Sequence, residues 1–250
     1  MDHSYKKKLV SAAAQGYTTT VQKLLANESE LRLCGDTIGA VLEQVASNGR
    51  SNVVRALMQN QTACNLMTGH GIYLALLGAM LNTTVTEESR NQIVRIILTT
   101  QAIHERIKKE VNNILEKIAC IGTASMLTDL LEIPYLHDLI DEPGACTALV
   151  LLTLFSPDDD RGDVLSVLLN NPHMCTLIGN DNHTATLIFK SIVKYPRTKT
   201  IAALFGCLHM RNALGEGLVR AFANSIFHST KDPAIKILLT PYVGEKNAFK

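Results

Sequence analysis

Several features that would indicate a particular class of protein are missing from this chain of 250 residues. Tryptophan is absent and aromatic residues make up 5% of the sequence, whereas proteins that read single-stranded nucleic acid depend on aromatic stacking. An excess of one charge is also missing, because 24 lysines and arginines are balanced by 23 aspartates and glutamates. No general electric field would therefore attract nucleic acid or an anionic membrane. The composition argues against a nucleic-acid-binding protein.

The patterns of cysteine and histidine lack the common metal motifs. The six cysteines are scattered without a CxxC pair, and the eight histidines form no HExxH or HxH motif. Scattered thiols without an export signal are typical of a reducing compartment. We therefore expect free thiols, no metal ion and no cofactor.

Long apolar runs are absent as well. No segment approaches the roughly 18 consecutive apolar residues of a transmembrane helix. Lys6, Lys7 and Lys8 resemble the start of a signal peptide, but the apolar stretch LVSAAA that follows them is too short. The sequence therefore predicts a cytoplasmic protein without membrane insertion. If the protein is secreted, it leaves without a cleavable signal peptide.

What the sequence does contain is an internal repeat. Residues 9–25, LVSAAAQGYTTTVQKLL, match residues 42–58, LEQVASNGRSNVVRALM, at an offset of 33. A further copy, LEKIACIGTASMLTDLL at 115–131, follows the second at an offset of 73. Residues 72–98 form an intermediate copy with extra residues between its halves, and three weaker copies follow residue 131. Fixed self-similarity at this length is typical of a solenoid.

The repeat predicts seven units in a single domain over residues 1–250. Their closing apolar pairs, beginning with Leu24-Leu25, step along the chain by 33, 40, 33, 38, 36 and 34 residues. The approximate units are residues 5–36, 37–69, 70–109, 110–142, 143–180, 181–214 and 215–245.

Each unit reads as two short apolar helices separated by a glycine. In the first unit Leu9, Ala12 and Ala13 share one helical face, and the glycine at Gly16 allows the positive φ that ends a helix tightly. Helices this short are not stable alone, so each unit must stack on its neighbours. The fold class predicted is an all-α solenoid with one core along its length.

The pattern resembles the ankyrin repeat, which reads approximately TPLHxAAxxGHxxVVxxLL. The matching positions in the first, second and fourth units are Leu9, Ala12, Ala13, Gly16, Val21, Leu24 and Leu25; Leu42, Ala46, Gly49, Val53, Val54 and Leu57; and Leu115, Ala119, Gly122, Leu127, Leu130 and Leu131. The Thr-Pro-Leu-His start is missing throughout, and apolar spacing over 103–118 predicts a helix where the family has a β-finger. The resemblance thus implies a degenerate array with few or no β-fingers.

The degenerate array is also similar to ankyrin-repeat effectors that intracellular bacteria, such as Legionella, deliver into host cells. The family binds proteins through variable residues on the concave face formed by first helices and connectors. By position, the resemblance implies a partner-binding set of Gln15, Gln44, Ser47, Asn48, Leu77, Met80, Leu81, Lys117 and Ile121. It implies a non-catalytic monomer that binds a protein partner, including a host protein. The inserted loops at 82–91 and 156–163 are a second candidate contact site.

Two alternatives stay open from the sequence. One is an enzyme or regulatory activity beyond residue 145 based on cysteine and histidine, since His173 lies next to Cys175 in NPHMC and His209 next to Cys207 in CLHM. No nucleophile, base and oxyanion-site constellation accompanies them, so no catalytic residue is assigned. The other alternative is a HEAT-like scaffold, whose helices are longer and whose units span about 40 residues or more.

Overall fold

The computed structural model describes residues 3–154, 161–179, 186, 188, 190, 192, 193 and 196–243. The described residues form α-helices and short 3₁₀ turns, with no strand among them. The prediction of an all-α protein is therefore confirmed for this part of the chain. None of the described helices has the length and apolar character required to cross a membrane.

The chain divides into two compact regions, Met1–Ile140 and Asp141–Lys250. They are called the N-terminal and C-terminal regions below. The prediction of one continuous domain with seven units stays a prediction.

The N-terminal region contains twelve described α-helices and one 3₁₀ turn, Gln101–Ile103. The helices are α1 (His3–Gln15), α2 (Thr18–Leu25), α3 (Glu28–Arg32), α4 (Thr37–Ser47), α5 (Ser51–Gln59), α6 (Gln61–Leu66), α7 (Gly69–Leu81), α8 (Glu87–Leu98), α9 (His104–Ile107), α10 (Val111–Ile121), α11 (Ala124–Leu131) and α12 (Pro134–His137).

These helices pack in rows. The longer helices α1, α4, α7 and α10 each contact the next one in the series, and so do α2, α5, α8 and α11. Each buries one apolar stripe, for example Ile38, Val41, Leu42 and Val45 on α4. Because a fully buried leucine or isoleucine contributes roughly 2 kcal/mol, packing between helices, and not helix propensity, stabilises elements this short.

Glycine turns join the helices of the first two pairs. The amides of Gly16 and Tyr17 donate to the carbonyls of Ala13 and Ala12, and Gly49 and Arg50 repeat the pattern on α4. This is the Schellman arrangement, and it requires the observed positive φ of 78° at Gly16 and 70° at Gly49. The turn predicted at these two glycines is therefore present.

Gly122 occupies the same position for a different reason. Its φ is −77°, which any residue can adopt, but an added Cβ would lie 2.7 Å from the Ile118 Cα and 2.8 Å from the Ile118 oxygen. A close approach of backbone, and not a left-handed conformation, favours glycine here.

Short helices connect successive pairs. They are α3, α6, the 3₁₀ turn with α9, and α12, and neighbouring ones in this series from α3 to the 3₁₀ turn are in contact. The helix expected over 103–118 is broken, because α9 ends at Ile107 and α10 begins at Val111. Apolar residues at helical spacing fit two short helices as well as one long helix, since periodicity does not record a change of direction.

The C-terminal region repeats part of this arrangement. Its described helices are α13 (Glu142–Leu154), α14 (Gly162–Asn170), α15 (Pro172–Gly179), α16 (Thr198–Gly206), α17 (Leu208–Leu214), α18 (Glu216–Ser229) and α19 (Pro233–Leu239), with a 3₁₀ turn at Thr240–Tyr242. Helix α14 packs on α16, which packs on α19, and the connecting helices α15 and α17 are also in contact. The buried leucine pair Leu168-Leu169 lies on α14, where the sequence repeat puts it.

Candidate partner-binding surface

The predicted binding residues lie on the helices α1, α4, α7 and α10, towards their C-terminal ends. Together they are called the first-helix surface. Gln15, Gln44, Asn48 and Leu81 are exposed, with Leu81 exposed to 56%. Ser47, Leu77, Lys117 and Ile121 are half-buried.

Met80 is the exception, and its prediction as a contact residue is wrong. Its side chain is 2% exposed and belongs to the core. The buried residues of α7 correspond to those of α4 at an offset of 34, with Ile72 for Ile38 and Met80 for Ala46. The predicted contact residues of the third unit, Leu77, Met80 and Leu81, correspond to Gln44, Ser47 and Asn48 at an offset of 33. This offset differs by one residue from the observed one and puts a core position on the surface.

The corrected register identifies two residues that the sequence comparison missed. Gly78 takes the position of Gln44, and Asn82 takes that of Asn48. Each asparagine follows its helix as the C-cap residue. In the sequence, the two asparagines Asn48 and Asn82 mark the offset of 34 between these helices.

Glycines bring α4 and α7 close together. An added Cβ on Gly39 would lie 3.6 Å from the Cα of Gly71, and one on Gly78 would lie 2.1 Å from the Oγ of Ser47. Backbone meets backbone at Gly39 and Gly71, whereas the missing side chain of Gly78 leaves room for the side chain of Ser47. A side chain at position 78 would push α7 away from α4 beside Ser47, Leu77 and Leu81.

The loop after α7 is attached to the turn after α4. The Asn82 side-chain amide donates to the carbonyl of Ser47. The Asn82 side-chain oxygen accepts from the Thr84 amide at 2.9 Å and the Thr84 hydroxyl at 2.6 Å. Val85 packs over Gly49, where an added Cβ would lie 2.7 Å from its Cγ2.

This loop is shorter than the predicted 82–91 segment. Thr86 accepts from the Ser89 amide and caps α8, which begins at Glu87. The loop therefore spans 82–86, and it directly follows the exposed Leu81. In the N-terminal region the two candidate contact sites of the sequence analysis are consequently parts of one surface.

The chemistry of this surface is apolar and uncharged at its centre. Helix α7, GHGIYLALLGAML, contains no Asp, Glu, Lys or Arg, and its less buried side includes Tyr73, Leu74, Leu77 and Leu81. A helix that is apolar all round is normally covered on all sides. On α4 the neighbouring residues are Gln44 and Asn48, whose amides donate and accept hydrogen bonds without charge, and the half-buried Glu43.

A scan against protein families, a search of curated proteins and a search of solved structures return no match to this chain.

A second surface of the N-terminal region is charged. A groove along α8 is lined by Arg55, Glu87, Glu88, Arg95 and Ser125, among other residues. Arg95 donates from Nε to the carboxylate of Asp129 at 2.8 Å, and Asp129 is buried. Arg95 therefore supplies the counter-charge that a buried carboxylate requires and links α8 to α11.

Two of the cysteines that the sequence places close to histidines meet each other in the structure. The sulfur atoms of Cys175 and Cys207 lie 3.8 Å apart. Both thiols also donate to the carbonyl oxygen of Leu169. No cluster of three or more potential metal ligands occurs among the described residues.

The second inserted loop falls largely outside the described residues. Of the predicted 156–163 segment, residues 156–160 are not described. Arg161 is the N-cap residue of α14, and Gly162 and Asp163 lie in its first turn.

Proposed function

We propose that this chain is an ankyrin-like α-solenoid that binds a protein partner, without catalysis, through the first-helix surface and the 82–86 loop. The observation that carries the proposal is an exposed leucine, Leu81, at the end of an apolar helix whose position is fixed by glycine contacts and by the Asn82–Ser47 hydrogen bond. Exposed apolar groups rimmed by amides are typical of protein interfaces.

The helix lengths favour an ankyrin-like over a HEAT-like array. Helices α2, α5 and α11 have 8 or 9 residues, and the others of the paired helices have 11 to 13. Recurrence of corresponding core positions at 33 residues between α2 and α5 supports the same choice. The departure from the family is that helices α3, α6, α9 and α12 replace the β-fingers.

The nature of the surface restricts the partner. Few charged side chains lie near the centre of the first-helix surface, so we expect a partner with an apolar projection flanked by backbone or amide groups. Because the array resembles effectors of intracellular bacteria, the proposal extends to a host protein as that partner.

The test is quantitative affinity capture from eukaryotic cell lysate. The variant Leu81→Asp puts a charge at the centre of the surface and is expected to lower recovery of the partner at least tenfold. The matched control is Leu33→Asp, because Leu33 is 64% exposed on a connector away from the first-helix surface. Both variants should melt within a few degrees of the parent protein.

The proposal gains support if the same captured protein is lost with Leu81→Asp and kept with Leu33→Asp. Equal recovery of every captured protein by the two variants would contradict it, and would direct attention to the charged groove on α8.

A further inference from the structure

The carbonyl groups at the ends of the second helices receive hydrogen bonds from two recurring positions. The first position lies six residues after the residue whose carbonyl accepts the hydrogen bond. There Cys64 donates to the Met58 oxygen at 3.3 Å, His104 contacts the Leu98 oxygen at 2.8 Å, and Cys175 donates to the Leu169 oxygen at 2.8 Å. A connector side chain therefore turns back onto the helix that precedes it.

The second position belongs to the next connector along the chain. Asn60, the N-cap residue of α6, donates to the oxygen of Leu25 on α2 at 3.1 Å. Cys207 holds the same place before α17 and donates to the oxygen of Leu169 on α14 at 3.3 Å. Where the side chains at both positions donate to the same carbonyl oxygen, they must lie close to each other.

In the C-terminal region both positions that act on the Leu169 oxygen are cysteines. Their convergence brings the two sulfur atoms to 3.8 Å, and the residues are 3% and 6% exposed. A disulfide bond is about 2.05 Å long, so each sulfur needs to move by about 1 Å to form one.

We propose that Cys175 and Cys207 are a reversible redox modification site, at which hydrogen peroxide or another small peroxide converts the two thiols to an intramolecular disulfide. In the first step the sulfur of Cys207 attacks one peroxide oxygen and the O–O bond breaks, which forms a sulfenic acid and releases water from hydrogen peroxide or an alcohol from an alkyl peroxide. In the second step the sulfur of Cys175 attacks the sulfenic sulfur, the S–O bond breaks, and water leaves. Two thiols are oxidised and one peroxide is reduced, and a dithiol reverses the change.

Local electrostatics support the order of attack. When Cys207 loses its proton, the S–H of Cys175 turns from the Leu169 oxygen to the Cys207 thiolate. This hydrogen bond and the backbone amides of Met210 and His209 lower the pKa of the Cys207 thiol. The neighbouring sulfur of Cys207 and burial raise the pKa of Cys175. Cys207 is therefore the nucleophile towards the oxidant, and Cys175 is the resolving thiol.

The bond would connect two connectors. It would join α15 to the residue preceding α17, which are separated by 32 positions in sequence. Closing a loop of this size restricts the unfolded chain, so the disulfide form should be the more stable one.

The test treats the whole, reduced, folded protein with a small molar excess of hydrogen peroxide. Free thiols are then blocked with N-ethylmaleimide and the protein is digested with trypsin without reduction. Peptides 162–190 and 200–211 contain one cysteine each. We expect them as a cross-linked pair in most of the protein, and dithiothreitol should release both. The melting temperature of the oxidised protein should exceed that of the reduced protein by about 5 °C.

The variants separate this bond from general thiol oxidation. Cys207→Ser and Cys175→Ser should each abolish the cross-link and the rise in melting temperature. Cys64→Ser is the matched control, because Cys64 is equally buried and donates to an equivalent carbonyl, and it should keep both effects. Circular dichroism of the reduced variants checks that each still folds.

A cross-link that forms only after denaturation would overturn the proposal. So would oxidation of Cys207 to a sulfinic acid while Cys175 stays free, or an equal yield of disulfides to other cysteines.

Discussion

Asn60 in the N-terminal region and Cys207 in the C-terminal region perform the same structural task with different chemistry. Each precedes a connector helix and donates to the last-turn carbonyl of an earlier second helix, at 3.1 Å and 3.3 Å respectively. Asn60 also accepts the Ala63 amide at 2.8 Å. An amide and a thiol can therefore both serve as the hydrogen-bond donor at this position. An amide is chemically inert there, whereas a thiol adds redox reactivity when a second thiol lies beside it.

The same two regions differ at their positive-φ glycines, which gives the largest expected effect. Gly49 and Gly215 have φ values of 70° and 76°. Among the described residues, an added Cβ on Gly49 would meet the side chain of Val85, whereas one on Gly215 would meet no atom within 4 Å. We expect Gly49→Ala to lower the free energy of unfolding by about 2–3 kcal/mol, because strain adds to the displacement of Val85. Gly215 combines its positive φ with a ψ of 152°, a region that is essentially restricted to glycine, so Gly215→Ala should cost about 1–3 kcal/mol from backbone strain alone.

Urea unfolding followed by circular dichroism measures both costs. A loss of only about 1 kcal/mol for Gly49→Ala would show that the contact with Val85 adds nothing to the backbone strain, and the proposed rigid attachment of the 82–86 loop would lose its basis.

Cys64, the N-terminal counterpart of Cys175, should make the stability of the protein depend on pH in alkaline solution. Burial raises the pKa of Cys64 from 9.0 to about 11. The folded state therefore favours the neutral thiol, so the contribution of Cys64 to stability is complete below pH 9 and is lost as the pH rises from 9 to about 11. We expect a loss on the order of 2 kcal/mol over this window.

Unfolding free energies at pH 8 and pH 10.5 for the parent protein and Cys64→Ala check this sign. Part of the alkaline loss should disappear in the variant, while Tyr5, whose pKa burial raises to about 12, continues to contribute. An unchanged pH dependence in Cys64→Ala would mean that its thiol does not titrate with folding.

The smallest effect is expected when one region receives the residue of the other. Cys207→Asn introduces the amide that Asn60 provides at this position in the N-terminal region, so the stability of the reduced protein should change by less than about 1 kcal/mol. Cys207→Ala, which removes the donor, should cost about 1 kcal/mol more than Cys207→Asn. Thermal melts under reducing conditions compare the two. A larger loss for Cys207→Asn than for Cys207→Ala would show that the space around Leu169 does not accept an amide.

The apolar spacing and the glycine pattern of the sequence predicted the structure with different success. The spacing of apolar pairs predicted the second helices well, since Val53, Val54 and Leu57 recur as Ile93, Val94 and Ile97 in the core. The glycine pattern predicted the turns at Gly16 and Gly49. It did not distinguish Gly122, where the requirement is a close backbone contact and not a value of φ.

The candidate surface was predicted in part. Gln15, Gln44, Asn48 and Leu81 are exposed as a binding residue must be, but Met80 is buried. In an all-apolar helix such as α7, the sequence contains no polar stripe that marks the outer side, so its rotation depends on which residues fit against α4. Gly71 and Gly78 lie on the side of α7 that faces Gly39 and Ser47 of α4.

Local periodicity and the conformational preferences of single residues indicated the helical class, the paired helices of the N-terminal region and the tight turns at Gly16 and Gly49. The rotation of α7, the attachment of the 82–86 loop to α4, and the meeting of Cys175 with Cys207 follow instead from tertiary packing. Each of these depends on atoms that are more than 30 positions apart in sequence, at Ser47 and Asn82 or at the two cysteines. Such contacts are specified by packing geometry, which no local pattern records.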